Sequence, residues 1–292
     1  MVPDAAALNQ LGNDLKAQGR WGEAEEAYRR AVMVDPAWSA PWFNLGLLYK
    51  VLRRWEDSMV CGTKATELDP DDQGAWWNLG IAATALGNWR LARRAWRGCG
   101  IEVDDGDDPP ALDYGPIPIR LSSEESGEVV WCDRIDPARA VIRSVPLPAS
   151  EFHELDVVLH DGEPRGYRVL EGRNLPVFDA IELLERSDRE TFAVRVAARA
   201  EDDVEALVGL AKSMGITVED WTETVRPICR RCSEGIPHEE HDEPAPVPWS
   251  PQRRIGISAR AAAEAEELLD RWAAGSSGRG VTDEDRGPTA LR

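Results

Sequence analysis

The phrase Asn44-Leu45-Gly46 returns 34 residues later as Asn78-Leu79-Gly80, and 34 residues earlier in looser form as Gln10-Leu11-Gly12. A fixed internal period constrains a fold more than any local preference, because each unit must pack on its neighbour in the same way. The register runs through the whole unit. Gly12, Gly46 and Gly80 share it, as do Trp21, Trp55 and Trp89, then Ala24, Ser58 and Ala92, then Ala31, Ala65 and Cys99, and Pro36 with Pro70.

These residue types at this period read as paired antiparallel helices. Gly or Ala stands where two helices approach closely, large apolar residues fill the gaps, and an Asp-Pro pair stops the second helix. One such unit cannot bury its own apolar face, whereas about three stacked units can. Trp42, Leu45, Gly46, Tyr49, Ala65 and Pro70 meet a W-x2-L-G-x2-Y, A-x3-F, P pattern almost in full. In this the chain resembles the tetratricopeptide repeat (TPR) family, over about its first third. The expected N-terminal unit is residues 1–107, a helical solenoid of three repeats at 5–38, 39–72 and 73–106.

The resemblance implies an inner face lined by the first helix of each repeat, used to hold a partner protein's peptide or helix. By register that face carries Asn9, Asn13 and Lys16, then Phe43, Asn44, Leu47 and Lys50, then Trp77, Asn78 and Ile81. Chaperone-binding members of the family clamp a C-terminal carboxylate with Lys, Arg and Asn. Asn13 and Asn44 match the asparagines of that clamp, but its cationic positions hold Asn9, Gly74 and Asn78. The expectation is instead an apolar strip of Phe43, Leu47, Trp77 and Ile81, with Asn44 and Asn78 free to bond a backbone. A strip of that size needs a cover, and the chain's own C-terminal helix is the rival occupant.

After residue 107 the pattern changes from helical period to short β-rich runs. Residues 113–228 are expected to form a β-rich α+β domain, a small barrel or curved sheet that ends in a β-α-β element. Its strands are expected near 117–121, 129–132, 140–145, 155–160, 167–170, 181–184 and 191–196, followed by a helix over 202–214. This part resembles domains of uncharacterised bacterial proteins with repeat regions, which implies no activity. Residues 243–257 read as a Pro-rich linker, 258–274 as an amphipathic helix capped by Ser258, and 275–292 as a disordered tail.

Between these parts, over 229–242, stands Cys229-x2-Cys232-x5-His238-x2-His241. Zinc takes four thiolate and imidazole ligands in a tetrahedron, and C-x2-C brings two thiolates together from one turn. These four residues are the candidate ligands of one structural Zn. The short gap between the pairs departs from the spacing of a ββα finger. The same stretch also reads as a solvated acidic loop or a redox-active C-x2-C pair.

Charge narrows the partner classes. The 292 residues carry a formal net charge of -19, unevenly placed: residues 1–104 hold 12 Lys+Arg against 14 Asp+Glu, and the remainder 22 against 39. Neither nucleic acid nor an anionic membrane surface suits a chain without a basic footprint. The opening "MVPDAAALNQ" has neither a charged nor an apolar leader region, and no apolar run approaches the ~18 residues of a membrane span. A cytoplasmic protein is expected. The chain has no nucleotide-binding Gly-rich loop, no H-E-x-x-H and no G-x-S-x-G, so it is read as a non-enzyme. The resulting reading is an adaptor or scaffold that binds a peptide or partner helix in the groove. Two alternatives belong to other classes: an immunity or inhibitor protein whose acidic second domain masks a basic toxin or enzyme, and a small-molecule sensor or enzyme in that domain.

Overall fold

The structure is a computed structural model that describes residues 4–121, 128–170, 172–222 and 249–282. The chain divides into two compact units, Met1–Leu112 and Asp113–Arg292.

The first unit contains six helices: α1 (Ala5–Ala17), α2 (Trp21–Val34), α3 (Ser39–Val51), α4 (Trp55–Leu68), α5 (Gln73–Ala85) and α6 (Trp89–Gly98). They pair as three hairpins whose joints repeat as the sequence does. The turn inside each hairpin places Gly19, Arg53 and Gly87 at φ of 72°, 54° and 65°. In each, the next N–H reaches back to a helix carbonyl: Arg20 to Leu15, Arg54 to Tyr49 and Asn88 to Ala83. These are the helix-ending bonds that a left-handed residue makes available. Between hairpins, the indole N–H of Trp42 donates to the Pro36 carbonyl at 3.1 Å and that of Trp76 to the Pro70 carbonyl at 2.8 Å. Side-chain oxygens of Asp4, Asp72 and Asn88 cap α1, α5 and α6.

Close approach explains the periodic glycines. A Cβ on Gly12 would lie 2.4 Å from the Tyr28 ring, and one on Gly80 would lie 2.4 Å from the Trp96 ring. Tyr28 and Trp96 are both fully buried. Past α6 the chain folds back along that helix: the buried Arg93 donates from Nη1 to the Gly106 and Asp108 carbonyls, and Arg90 pairs with Asp107. Arg93 stands at the register of Glu25 and Met59. The acidic exit segment is thus bound to the last helix of the array.

The second unit holds two sheets. Strands β1 (Pro116–Arg120), β2 (Val129–Arg134), β3 (Arg139–Ile142), β4 (Val157–His160) and β6 (Arg173–Glu185) form a ring closed by a parallel β1–β6 pairing. β5 (Gly166–Leu170) pairs only with the first half of β6, as a hairpin extending the sheet. The β-rich region is therefore a five-stranded barrel, with Ile119, Val130, Cys132, Ala140, Ile142, Val158 and Phe178 in its core.

The second sheet has the order β10-β7-β9-β8, with β7 at Glu190–Ala197, β8 at Thr217–Asp220, β9 at Gln252–Ala259 and β10 at Gly280–Thr282. Helix α7 (Glu201–Ser213) joins β7 to β8, and α8 (Ala262–Ala274) joins β9 to β10. That is a β-α-β-β-α-β topology of ferredoxin-like type. Leu207 and Ala211 of α7 and Ala265, Leu268, Leu269 and Trp272 of α8 pack on Phe192, Val194, Val196, Ile255 and Ile257 of the sheet.

This arrangement corrects four expectations. The last expected barrel strand is β7, which belongs to the second sheet. Residues 252–257, expected as linker, lie in β9, an interior strand: beyond Pro251 the run Gln252–Ala259 has every backbone N–H a ladder needs. The C-terminal helix starts at Ala262, without a side-chain cap, and Ser258 is a buried strand residue. Residues 280–282 of the expected tail pair with β7.

The opposite face of this sheet meets the barrel. Val145 donates its N–H to Glu219 at 2.8 Å and accepts at its carbonyl from the Trp221 indole at 3.1 Å. Gly256 admits that indole, for a Cβ there would stand 2.2 Å from it.

Candidate functional site

The inner-face positions are the first helices of the three hairpins, α1, α3 and α5. Their register stacks Asn9, Phe43 and Trp77 in one row, Gln10, Asn44 and Asn78 in the next, then Asn13, Leu47 and Ile81, then Lys16, Lys50 and Thr84. Rows at i, i+4 and i+7 share one helix face, so these rows form one surface.

The structure links the asparagines directly. Asn44 donates from Nδ2 to Asn9 Oδ1 at 3.0 Å, bridging α3 and α1. Tyr28 donates its hydroxyl to Asn13 Oδ1 at 2.8 Å, which fixes that amide. Burial pushes the Tyr28 phenol up to about 12, with the nearby Asp14 carboxylate adding to the shift, so Tyr28 stays a donor. Among the described residues, the Asn44 side-chain oxygen and the Asn13 side-chain nitrogen take no hydrogen-bond partner.

Exposure divides the ten expected residues. Phe43, Asn44, Leu47, Trp77, Asn78, Asn13 and Lys16 are half-buried. Asn9 and Lys50 are 8 % and 7 % exposed, and Ile81 is fully buried. The accessible apolar strip is therefore Phe43, Leu47 and Trp77, and the expected fourth member, Ile81, is not accessible to a ligand. The Phe43 ring reaches across to α5, 3.5 Å from where a Cβ on Gly74 would stand. Trp77 meets the buried Trp96 edge-on at 5.2 Å between ring centres. Trp96 in turn needs the space at Gly80, so the anchor ring of the third repeat rests on the repeat's own glycine. Local spacing did not give this support; it follows from the packing of α6 on α5.

Lys16 carries the electrostatic signal of the surface. Its pKa is lowered by burial, and no described carboxylate pairs with it. An ammonium held in a half-buried groove without a counter-charge favours an acidic ligand group. An open cavity of about 640 Å³ lies by the end of α6, lined by Arg97, Ile101, Val103 and Leu112 among others, and includes none of the inner-face residues.

The rival occupant is otherwise engaged. Ala265, Leu268 and Trp272, the apolar stripe of the C-terminal helix, are buried in the core of the second unit, and the Trp272 indole donates to the Asp203 carbonyl at 2.7 Å. The stripe that would enter the groove is spent on β7 and β9.

Cys229, Cys232, His238 and His241 lie outside the described residues. Among the described residues, no group of three or more His, Cys, Asp or Glu is placed to hold a metal ion. The thiols of Cys61 and Cys99 are pushed by burial up to about 12 and about 11, so both are inert packing groups. No helix among the described residues is long and apolar enough to cross a membrane.

Comparison with known proteins agrees with the period. Residues 5–38 match the family model of the tetratricopeptide repeat, and α1 to α6 form consecutive helical repeats in that register. Among solved structures the chain is similar to the second TPR of Spaghetti (RPAP3) bound to HSP90 peptide SRMEEVD, at 25% identity and TM-score 0.32, over 33% of this chain and 89% of that one. The first TPR of the same protein, bound to the same peptide, is 23% identical at TM-score 0.32, over 33% and 76%. The Sgt2 TPR domain from Aspergillus fumigatus is 24% identical at TM-score 0.32, over 34% and 65%. Comparison with curated proteins gave no match.

Proposed function

We propose that the N-terminal unit is a protein-interaction module that seats a peptide or helix of a partner protein along α1, α3 and α5. The observation that carries this reading is the half-exposure of Phe43, Leu47 and Trp77 in a helical unit whose other inward apolar residues are buried. The ligand's apolar side chains fill the strip, its backbone bonds to the amides of Asn44 and Asn78, and an acidic group approaches Lys16. Most of the binding energy resides in the aromatic positions.

The carboxylate clamp that the family resemblance brings to mind is not carried over to this chain, because Asn9, Gly74 and Asn78 occupy the positions of the clamp's cations. An internal segment fits better than a chain terminus. The test is a peptide-display selection on the full chain, followed by titration of the enriched peptides against Phe43→Ala and Trp77→Ala. Affinity should fall by about tenfold or more in each variant. Peptides that bind both folded variants as tightly as the parent would refute the assignment.

A further inference from the structure

The seam between the barrel and the second sheet buries a carboxylate with no cationic partner among the described residues. Glu154 is 7 % exposed. Its Oε1 accepts from the Thr217 hydroxyl at 2.6 Å, while its Oε2 is buried without a partner. Among the described residues no basic side chain pairs with it. Arg186 is held by Asp156 at 2.8 Å, and Arg189 donates to the Gly215 carbonyl at 3.0 Å.

The Thr217 hydroxyl begins a row of hydroxyl side chains across the sheet. Thr217 stands directly opposite Ser258, and Ser258 directly opposite Thr191, across β8, β9 and β7. Cross-strand partners share a face, with Cβ atoms about 4.5–5.5 Å apart. Ser258 is fully buried and its Oγ also lacks a partner, and Thr191 is 3 % exposed. His153 borders the row, with Nδ1 3.4 Å from Thr191 Oγ1.

The loop that delivers Glu154 cannot turn it out to water. Asp156, fully buried, accepts from the N–H groups of His153 and Ser187, and the Ser187 hydroxyl donates to the Glu154 carbonyl at 2.7 Å. Glu151 and Leu155, on either side, are held at φ of 60° and 67°. Such backbone costs energy in a non-Gly residue and persists only where its surroundings enforce it.

We propose that this seam is a binding site for an alkali-metal cation, sodium or potassium, with Glu154 Oε2, Ser258 Oγ and Thr191 Oγ1 as oxygen ligands. Oxygen donors select hard cations, and one carboxylate among neutral hydroxyls matches a single positive charge. A water molecule would satisfy the hydrogen bonds and leave the buried charge uncompensated, which is the costly part. The cation joins the barrel to the sheet, since its ligands come from the loop before β4 and from β7 and β9.

The test is the thermal midpoint of the full chain in sodium, potassium and choline chloride at matched ionic strength, for the parent and for Glu154→Gln. The parent should melt about 3–5 °C higher in one alkali salt than in choline, the shift expected at about tenfold excess over the dissociation constant. Glu154→Gln should lose that difference. Equal midpoints in all salts overturn the proposal, as does an alkali effect that survives in Glu154→Gln. Should Glu154→Gln fail to fold, Ser258→Ala keeps the carboxylate and removes one ligand; an undiminished alkali effect there also overturns it.

Discussion

Adding one methyl group to each periodic glycine should produce a graded loss of stability that follows the clearances in the structure. At Gly80 a Cβ would stand 2.4, 2.5 and 2.7 Å from three atoms of the Trp96 ring. That ring is fully buried and braced by Trp77, so it cannot swing aside. At Gly46 the nearest atom is Cys61 Cβ at 3.3 Å, a gap that a few tenths of an ångström of helix movement restores. Overpacking costs about 1–3 kcal/mol, and Gly to Ala in a helix interior returns about 1 kcal/mol. Gly80→Ala sits at the upper end of the first range and should lose about 2 kcal/mol net. Gly46→Ala should come out near zero. Urea unfolding of the full chain, followed by far-UV circular dichroism, reads this as a midpoint about 1 M lower for the helical transition of Gly80→Ala. A Gly80→Ala midpoint equal to or above that of Gly46→Ala would refute the packing argument. Because Trp96 supports Trp77, Gly80→Ala should also weaken peptide binding, whereas Gly46→Ala should not.

Two further outcomes follow from the barrel. His160 is fully buried, donates from Nδ1 to the Asp161 carbonyl at 2.7 Å, and has its pKa pushed down to about 3 from the ordinary 6.5, first by burial and then by Arg134. Between those values the unfolded chain takes a proton that the folded chain refuses, so the stability present above about pH 6.5 is lost as pH falls toward 3. A His160→Leu variant should show a shallower fall of the urea midpoint over that window. The pair Asp136–Arg139, with side chains 0 % and 5 % exposed, also caps two backbone N–H groups. Asp136→Ala should cost about 3–5 kcal/mol, against about 0–1 kcal/mol for Asp133→Ala, whose partner Arg143 is half-exposed; urea titration of the two variants compares them.

The inner-face rows could be read from the sequence because a 34-residue period fixes which residues share a helix face. The accessibility of those rows could not. Leu47 and Ile81 occupy the same register, yet Leu47 is half-exposed and Ile81 fully buried. Burial is a property of what lies above a residue, and periodicity reports only what lies beside it. The seam around Glu154 shows the same limit more sharply. His153 and Glu154 precede β4, Thr191 lies in β7, Thr217 in β8 and Ser258 in β9, and no spacing rule connects them.

By itself the sequence determined the repeat, its two-helix unit, the turn positions and the small residues at helix contacts, because all of these depend on interactions within about one period. It also placed most strands of the second unit, since alternation of apolar and polar residues is local. Tertiary structure alone decided how those strands divide between a closed barrel and a ferredoxin-like sheet. The β1–β6 closure pairs residues about 60 positions apart and β7–β9 pairs residues about 60 apart, and strand partners at such separations are chosen by the shared core they bury. The same choice turned a stretch expected as linker into the interior strand β9, and committed the apolar face of the C-terminal helix to that sheet.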